Sequence, residues 1–355
     1  GESYYGDRLI VAAGGCAGRK LGGTEAGYAL LKMLGHDCTP LRPSLVQIRT
    51  QTELVRALKG VRADGRIVLK RGGHAVCAAE GELQFTEFGV SGPAAFELSR
   101  AVSTGDGEQT LLIDFCRDMP ETELTALLSE RCARFPKLAA EELLTGLLQS
   151  RLGKTLVRRA GLDAEKPMET VTAAERLAVG RLVKCCAVEA VGVLGMDSAQ
   201  VTVGGIRTAQ FRADTLESRV APGVFACGNV VHVHDLVDFV TAEAEKAGRS
   251  AAEYVLHGAA ADGRTFATAC GACVTYTVPQ QIRLAAMGDK TEVSFRVNRS
   301  FAKSRILVTD ETGAVVARFA RQHMAPGEME ELKLTQGALT AHPDLKRIHI
   351  AVEEA

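Results

Sequence analysis

The stretch Val220–Leu256 constrains the fold more than any other part of the chain. It contains APGVFACGNVVHVHDLVDFVTAEAEKAGRSAAEYVL. The apolar run Val224-Phe225-Ala226-Cys227 ends in Gly228-Asn229, and a connector with two histidines leads into a long helical pattern. Strand, glycine turn and helix in this order is how doubly wound α/β domains hold a ligand. The ligand sits beyond the carboxyl end of the strand, against the free N–H groups of the helix N-terminus. From Leu236 to Leu256, the residues Leu236, Val237, Val240, Ala244, Ala247, Ala251 and Val255 recur near a 3.6-residue period. That face is expected to pack on a sheet. The bland alternative is a capped core helix with no ligand.

A second segment has the same outline. Arg8–Ala13 (RLIVAA) reads as a buried strand ending in Gly14-Gly15, where glycine lets the backbone approach a ligand. Thr24–Gly35 has apolar residues at helical spacing and a terminal glycine. Short strands are expected at Ile67–Lys70, Ala75–Ala79, Glu82–Thr86 and Thr110–Phe115. Helices are expected at Ser91–Val102, Glu121–Phe135, Ala139–Leu152 and Thr172–Cys185, the last opened by the capping-box spacing of Thr172 and Glu175. Strands return at Val188–Val193 and Gln200–Val203. Gly204-Gly205 follows, which is either a plain turn or a close backbone approach to a ligand. Gly258–Gly263 reads as an Ala/Gly linker. Beyond it, six apolar or alternating runs from Ala272–Val278 to Lys346–Val352 predict a small all-β domain, sandwich-like.

Two resemblances organise these pieces. DRLIVAAGG and the segment from Val224 to Thr241 resemble the two flavin-facing segments of two-dinucleotide-fold FAD oxidoreductases. Residues 1–220 are similar to the aminoacetone-oxidase-like (BaiN-like) FAD-binding family. The likeness rests on GGTEAGYALLKMLGHDCTPLRPSLVQIRT, FTEFGVSGP, AQVTVGGI and TLES, with Glu87 where that family commonly has His. Residues 220–355 resemble the branch related to the anaerobic glycerol-3-phosphate dehydrogenase A subunit, through GNVVHVHDLVDFVTAEAEKAG. A natural recombinant and a joining error in the source sequence both fit this change near 220–230.

The resemblances imply an α/β chain: a partial FAD-binding Rossmann-like domain (1–45 and 200–257), an inserted α+β domain of barrel and helices (46–199), and the all-β domain (264–355). They imply cofactor contacts at Ala13, Gly14, Gly15, Gly204, Gly205, Gly228, Asn229, Val240 and Thr241. Asn229 matches a position whose side chain meets the ribityl or phosphate part of the flavin, and an amide can donate or accept there. The implied activity is hydride or electron transfer between a small organic substrate and FAD, with NAD(P)H as a further candidate reductant and an electron-transfer subunit as a candidate partner. The alternative is a non-catalytic remnant or interaction module.

The sequence also sets limits. No G-x-G-x-x-G, the fingerprint that binds the pyrophosphate, occurs in it. FAD binding by these residues is therefore expected to be weak or absent. Residue 1 is Gly and a strand follows at once, as expected where the natural beginning lies upstream or the chain has been processed or trimmed. Formal net charge is −1, which gives no basic surface for nucleic acid. No apolar run approaches a membrane span, and ten scattered cysteines without a disulfide framework point to a reducing cytoplasm; the resemblances imply a bacterial protein.

His232, His234 and Asp235 are the weak catalytic candidates, with Asp235 orienting a histidine for acid–base work. His-x-His also has a metal-binding look, but no third ligand is visible, so no metal is assigned. Cys270 and Cys273 have C-x-x-C spacing without two further ligands, and all ten cysteines are taken as structural.

Overall fold

The computed structural model describes residues 3–259 and 263–354. The linker expected at Gly258–Gly263 therefore falls partly outside the described residues. The chain divides into two compact units. One holds residues 1–15, 25–39 and 205–355; the other holds 16–24 and 40–204.

In chain order the elements begin with strand β1 (Leu9–Val11) and helix α1 (Ala26–Met33), followed by β2 (Cys38–Ser44). Then come β3 (Ile48–Thr50), α2 (Thr52–Ala57), β4 (Arg62–Arg71), β5 (His74–Phe85), β6 (Gly89–Ser91), α3 (Pro93–Thr104) and β7 (Gln109–Asp114). Helices α4 (Glu121–Arg134), α5 (Ser150–Arg159) and α6 (Ala173–Lys184) precede β8 (Cys186–Val193). Strands β3, β6, β5, β4, β7 and β8 close into a six-stranded barrel, β8 pairing back onto β3.

The barrel closes around alternating apolar side chains. Ile67, Leu69, Leu83, Phe85, Leu111 and Ile113 point into one core, which Leu98 and Val102 of α3 join. Strands β4 and β5 are longer than the short runs expected from the sequence. Their hairpin turns on Gly72-Gly73, both at positive φ, between the paired Arg71 and His74. Gly81 pairs with Gly65 and is absorbed at φ 135 without ending the ladder, so the two runs at Ala75–Ala79 and Glu82–Thr86 are one strand.

The helical part also departs from expectation. Ala139–Leu152 is not one helix: a single 3-10 turn covers Ala140–Glu142, and α5 starts at Ser150. Gly146 at φ 82 breaks the run, and the Gln149 side chain caps the new start by accepting from Leu152 N. The Thr172/Glu175 capping box is formed as its spacing predicts. In the same unit, Thr202 Oγ1 accepts the N–H groups of Cys16 and Ala17 at 3.1 and 2.9 Å, pinning residues 16–24.

The chain leaves this unit on β9 (Val201–Ile206), which pairs with β2. It continues through β10 (Val224–Ala226) and α7 (Val237–His257). Strand β10 runs parallel to β1, in the register Leu9↔Val224, Ile10↔Phe225, Val11↔Ala226. Val11 is buried, but Leu9 and Ile10 are 37% and 41% exposed, so β1 is less buried than its apolar run suggests.

The expected apolar face of α7 is likewise only partly used. Ala247 and Ala251 are buried, while Leu236, Val237 and Val255 are 55%, 73% and 51% exposed and Ala244 is exposed. A 21-residue helix is about 30 Å long. It overruns a ladder of three-residue strands, about 10 Å long.

The remaining strands are β11 (Thr265–Cys270), β12 (Val274–Val278), β13 (Gln281–Arg283), β14 (Lys290–Val297), β15 (Ser304–Asp310), β16 (Val315–Arg321) and β17 (Glu330–Thr335), then a short helix α8 (Gln336–Thr340) and β18 (Arg347–Glu354). They form a five-stranded sheet, β13-β11-β18-β15-β16, and a three-stranded sheet, β12-β14-β17. Phe266, Ile306, Ile348 and Ile350 from the first share one core with Val293, Phe295, Leu332 and Leu334 from the second. The two sheets make this part of the chain an all-β sheet domain. The sequence did not suggest β11, β13 or α8. No helix among the described residues is long and apolar enough to cross a membrane.

Candidate functional site

The parallel pair β1 and β10 brings two glycine turns side by side. Cys227 N donates to Val11 O at 3.1 Å at the carboxyl ends of the strands. Gly14 has φ 72, and a side chain there would meet nothing within 4 Å. Ala13 is exposed and Gly14 and Gly15 are half-buried. On the β10 side, Gly228 has φ 69 and is buried, whereas Asn229 is exposed. A Cβ on Gly228 would lie 3.7 Å from Val240, so this first-turn residue of α7 sits over the glycine. Thr241 is exposed, its hydroxyl donating to Val237 O at 3.0 Å. Leu236 caps α7 without a side-chain hydrogen bond.

Gly205 belongs to the same unit as these turns, and Gly204 to the other. A Cβ on Gly205 would fall 3.2 Å from the Tyr28 ring. Nearby, the motif residue His36 is a clamp. Ser218 Oγ accepts from Val220 N and Ala221 N at 3.0 and 2.8 Å, which leaves its hydrogen for His36 Nε2 at 2.8 Å. That assigns the ring proton to Nδ1, which donates to Leu31 O at 3.0 Å.

After Gly228 the chain makes a 3-10 turn, with His232 N donating back to Gly228 O. This turn carries His232 and His234 against the second turn of α7. There the structure supplies a residue that the sequence did not point to. Glu243 Oε1 lies 3.8 Å from His232 Nδ1, and Glu243 Oε2 lies 3.1 Å from His234 Nε2. The two imidazoles are 4.4 Å apart, centroid to centroid, at 63°. Asp235 does not orient a histidine; it pairs with Arg296, which also donates to Tyr276 Oη at 3.0 Å. The carboxylate beside the histidines is Glu243, whose Oε2 also accepts the Gly228 N–H at 2.5 Å. Burial drives the Glu243 carboxyl upward, but the His232 and His234 rings and the Gly228 N–H outweigh it and hold it at about 2.

His234 is 94% buried by its side chain, 6% remaining exposed, and neither ring nitrogen has an aligned hydrogen-bond partner. Its 3.1 Å approach to Glu243 is thus a close contact off the hydrogen-bond direction. The cluster lines a cavity of about 310 Å³, which Tyr276, Glu292 and Glu331 also line. Burial and the Glu292 charge raise the Glu331 carboxyl above the usual range.

Elsewhere, Cys270 ends β11 and Cys273, at φ 64, sits in the turn before β12, not at the start of a strand. All ten cysteines are free thiols. No sequence signal isolates Glu243, because a glutamate in an A-E-A-E-K run reads as a solvated helix face.

Similarity to known proteins extends over as much as 71% of the chain. It is 30% identical over 261 residues to the 3-dehydro-bile acid delta(4,6)-reductase of Clostridium scindens, covering 71% of this chain and 64% of that protein. It is 26% identical over 230 residues to the ribosomal RNA dihydrouridine synthase of Escherichia coli, covering 64% and 55% respectively. The corresponding Haemophilus influenzae synthase is 25% identical over 229 residues, covering 63% and 54%. The chain thus spans between about half and 64% of the length of these curated relatives. The six-stranded barrel and the helices beside it fall within the match to the HI0933-like protein barrel and H2TH domain, and residues 42–201 belong to that family.

Proposed function

We propose that the chain is the flavin-ring-holding portion of an FAD-dependent oxidoreductase that reduces a small organic substrate. The observation that carries this reading is the parallel pairing of β1 with β10, which aligns the turns at Gly14 and Gly228. The reductase relative supports the direction of the chemistry by its name. Bound FAD would supply the hydride.

The residues present fit the ring half of such a cofactor. The space over Gly14 is open, Asn229 is exposed to offer its amide, and α7 starts without a side-chain cap, leaving first-turn N–H groups to meet developing negative charge. In this reading Gly14 and Gly15 admit the cofactor close to the backbone, Asn229 orients it, and Val240 and Thr241 flank it. Gly204 and Gly205 are proposed contacts from resemblance alone. With no pyrophosphate fingerprint in these residues, the proposed binding is weak rather than stoichiometric.

A second reading, a non-catalytic interaction module, has one observation in its favour. Glu243 already occupies the Gly228 N–H.

Titration of the purified chain with FAD and FMN, read by flavin fluorescence, tests the first reading. Saturable quenching that Gly14→Val abolishes, with its melting transition retained, is the expected result. A chain that quenches neither flavin at any concentration supports the interaction module instead. A stoichiometric flavin band in the purified protein would overturn the expectation of weak binding.

A further inference from the structure

We propose that His232, His234 and Glu243 bind one divalent first-row transition-metal ion, with Zn²⁺ as the reference ion. Each of the three offers one ligand atom, and these atoms lie within 4.8 Å of one another. Metal–ligand bonds of about 2.0–2.2 Å place neighbouring ligands about 2.8–3.6 Å apart in octahedral or tetrahedral sites. The 3.1 Å separation of His234 Nε2 from Glu243 Oε2 is already in that range. His232 Nδ1 lies 3.8 Å from the other carboxylate oxygen, Oε1, and a rotation of its ring or of the carboxylate brings it towards the same ion.

A second, independent observation points to a ligand. His234 is more than nine-tenths buried, yet neither ring nitrogen has an aligned hydrogen-bond partner: Nε2 touches the Glu243 carboxylate off-line at 3.1 Å, and Nδ1 has none. Burying an unpaired polar group is costly, and such groups in folded proteins call for a partner. A metal ion taking one nitrogen supplies it. The off-line contact with Glu243 fits this as well, because two ligands of one ion approach each other without their lone pairs facing.

The donor set selects the class of ion. Two imidazoles and one carboxylate suit zinc and its first-row neighbours, whereas magnesium and calcium favour all-oxygen shells. The Gly228 N–H holds the Glu243 carboxylate in place, the kind of outer contact that orients a ligand. Glu292 and Glu331 add negative charge to the cavity wall. Lys246 also lines it, but its ammonium donates to Ala213 O at 2.8 Å. Three protein ligands leave at least one coordination position, and the cavity has room there for water or a small oxygen-donor molecule.

The test uses the chelator-stripped full chain without flavin, titrated with Zn²⁺ by calorimetry and with Co²⁺ by absorbance. One ion per chain is expected, with a cobalt spectrum lacking thiolate charge-transfer bands. His234→Ala and Glu243→Gln should each weaken Zn²⁺ binding by at least about 100-fold, while His323→Ala leaves it unchanged. Any variant that does not melt cooperatively is set aside, and the wild-type cobalt spectrum then decides between nitrogen–oxygen and thiolate ligation. The proposal is overturned if the wild type binds no Zn²⁺, if a folded Glu243→Gln binds as tightly as wild type, or if binding disappears in Cys270→Ser or Cys273→Ser instead. Because no flavin is present, these outcomes are independent of the flavin titration.

Discussion

The backbone N–H of Gly228 donates to the carboxylate of Glu243, fifteen residues further on, at 2.5 Å. The bond ties the turn after β10 to the second turn of α7 and gives a buried backbone donor its partner. Replacing Glu243 by alanine removes that partner, and the expected loss is about 1–3 kcal/mol. Glu243→Gln keeps an oxygen acceptor and should cost clearly less. Urea denaturation of the two variants checks this. Equal losses would mean that the carboxylate is held by its charge alone.

The capping box of α6 should be visible as a pH effect. The Lys166 ammonium, helped by Thr172, holds the Glu175 carboxyl at about 2, below its ordinary 4.5. A carboxyl depressed on folding contributes stability that is fully present above about pH 4.5 and is lost as pH falls towards 2. The melting-temperature gap between wild type and Glu175→Gln should therefore be largest at neutral pH and shrink below pH 4.5. A gap that stays constant down to pH 2 would show that the cap does not depend on charge.

At Gly27 two effects oppose one another. Alanine is a better helix former than glycine by about 1 kcal/mol. Here, however, an added Cβ would lie 2.9 Å from Ala13 Cβ and 3.1 Å from Val230 Cγ2. Neither neighbour is the tip of a long flexible side chain, and overpacking of this kind costs about 1–3 kcal/mol. Gly27→Ala is expected to be net destabilising by thermal melting. A stabilised variant would mean that α1 slides away from β1 at little cost.

Much of this architecture was legible in the residues. The strand and helix around Gly228 followed from an apolar run and a helical period, and the α6 start followed from Thr172 and Glu175. Elements were missed where their signal is not local. Strand β11, Thr-Phe-Ala-Thr-Ala-Cys, is mostly small and polar residues and is held by its neighbours β13 and β18. The break at Gly146 was hidden inside a leucine-rich run that reads as continuous helix. Candidate ligands were legible only in part: His232 and His234 announce themselves, but Glu243 joins them through a turn whose path depends on Gly228 adopting φ 69. Asp235 looked like the natural partner by sequence proximity, yet the β-sheet residue Arg296 claims it.

Where the chain departs from one unit and comes back to it, Thr39 and Gly205 sit face to face: the threonine hydroxyl meets both the N–H and the carbonyl of the glycine, at 3.1 and 3.2 Å. The 165 residues from Pro40 to Gly204, which share their unit with Cys16–Thr24, thus leave and return at two feet separated by one side chain. Closing such a gap with a few flexible residues costs little chain entropy. The barrel and its helices are in this sense a detachable cassette, and evolution could enlarge, exchange or delete them without re-threading the strands on which they stand.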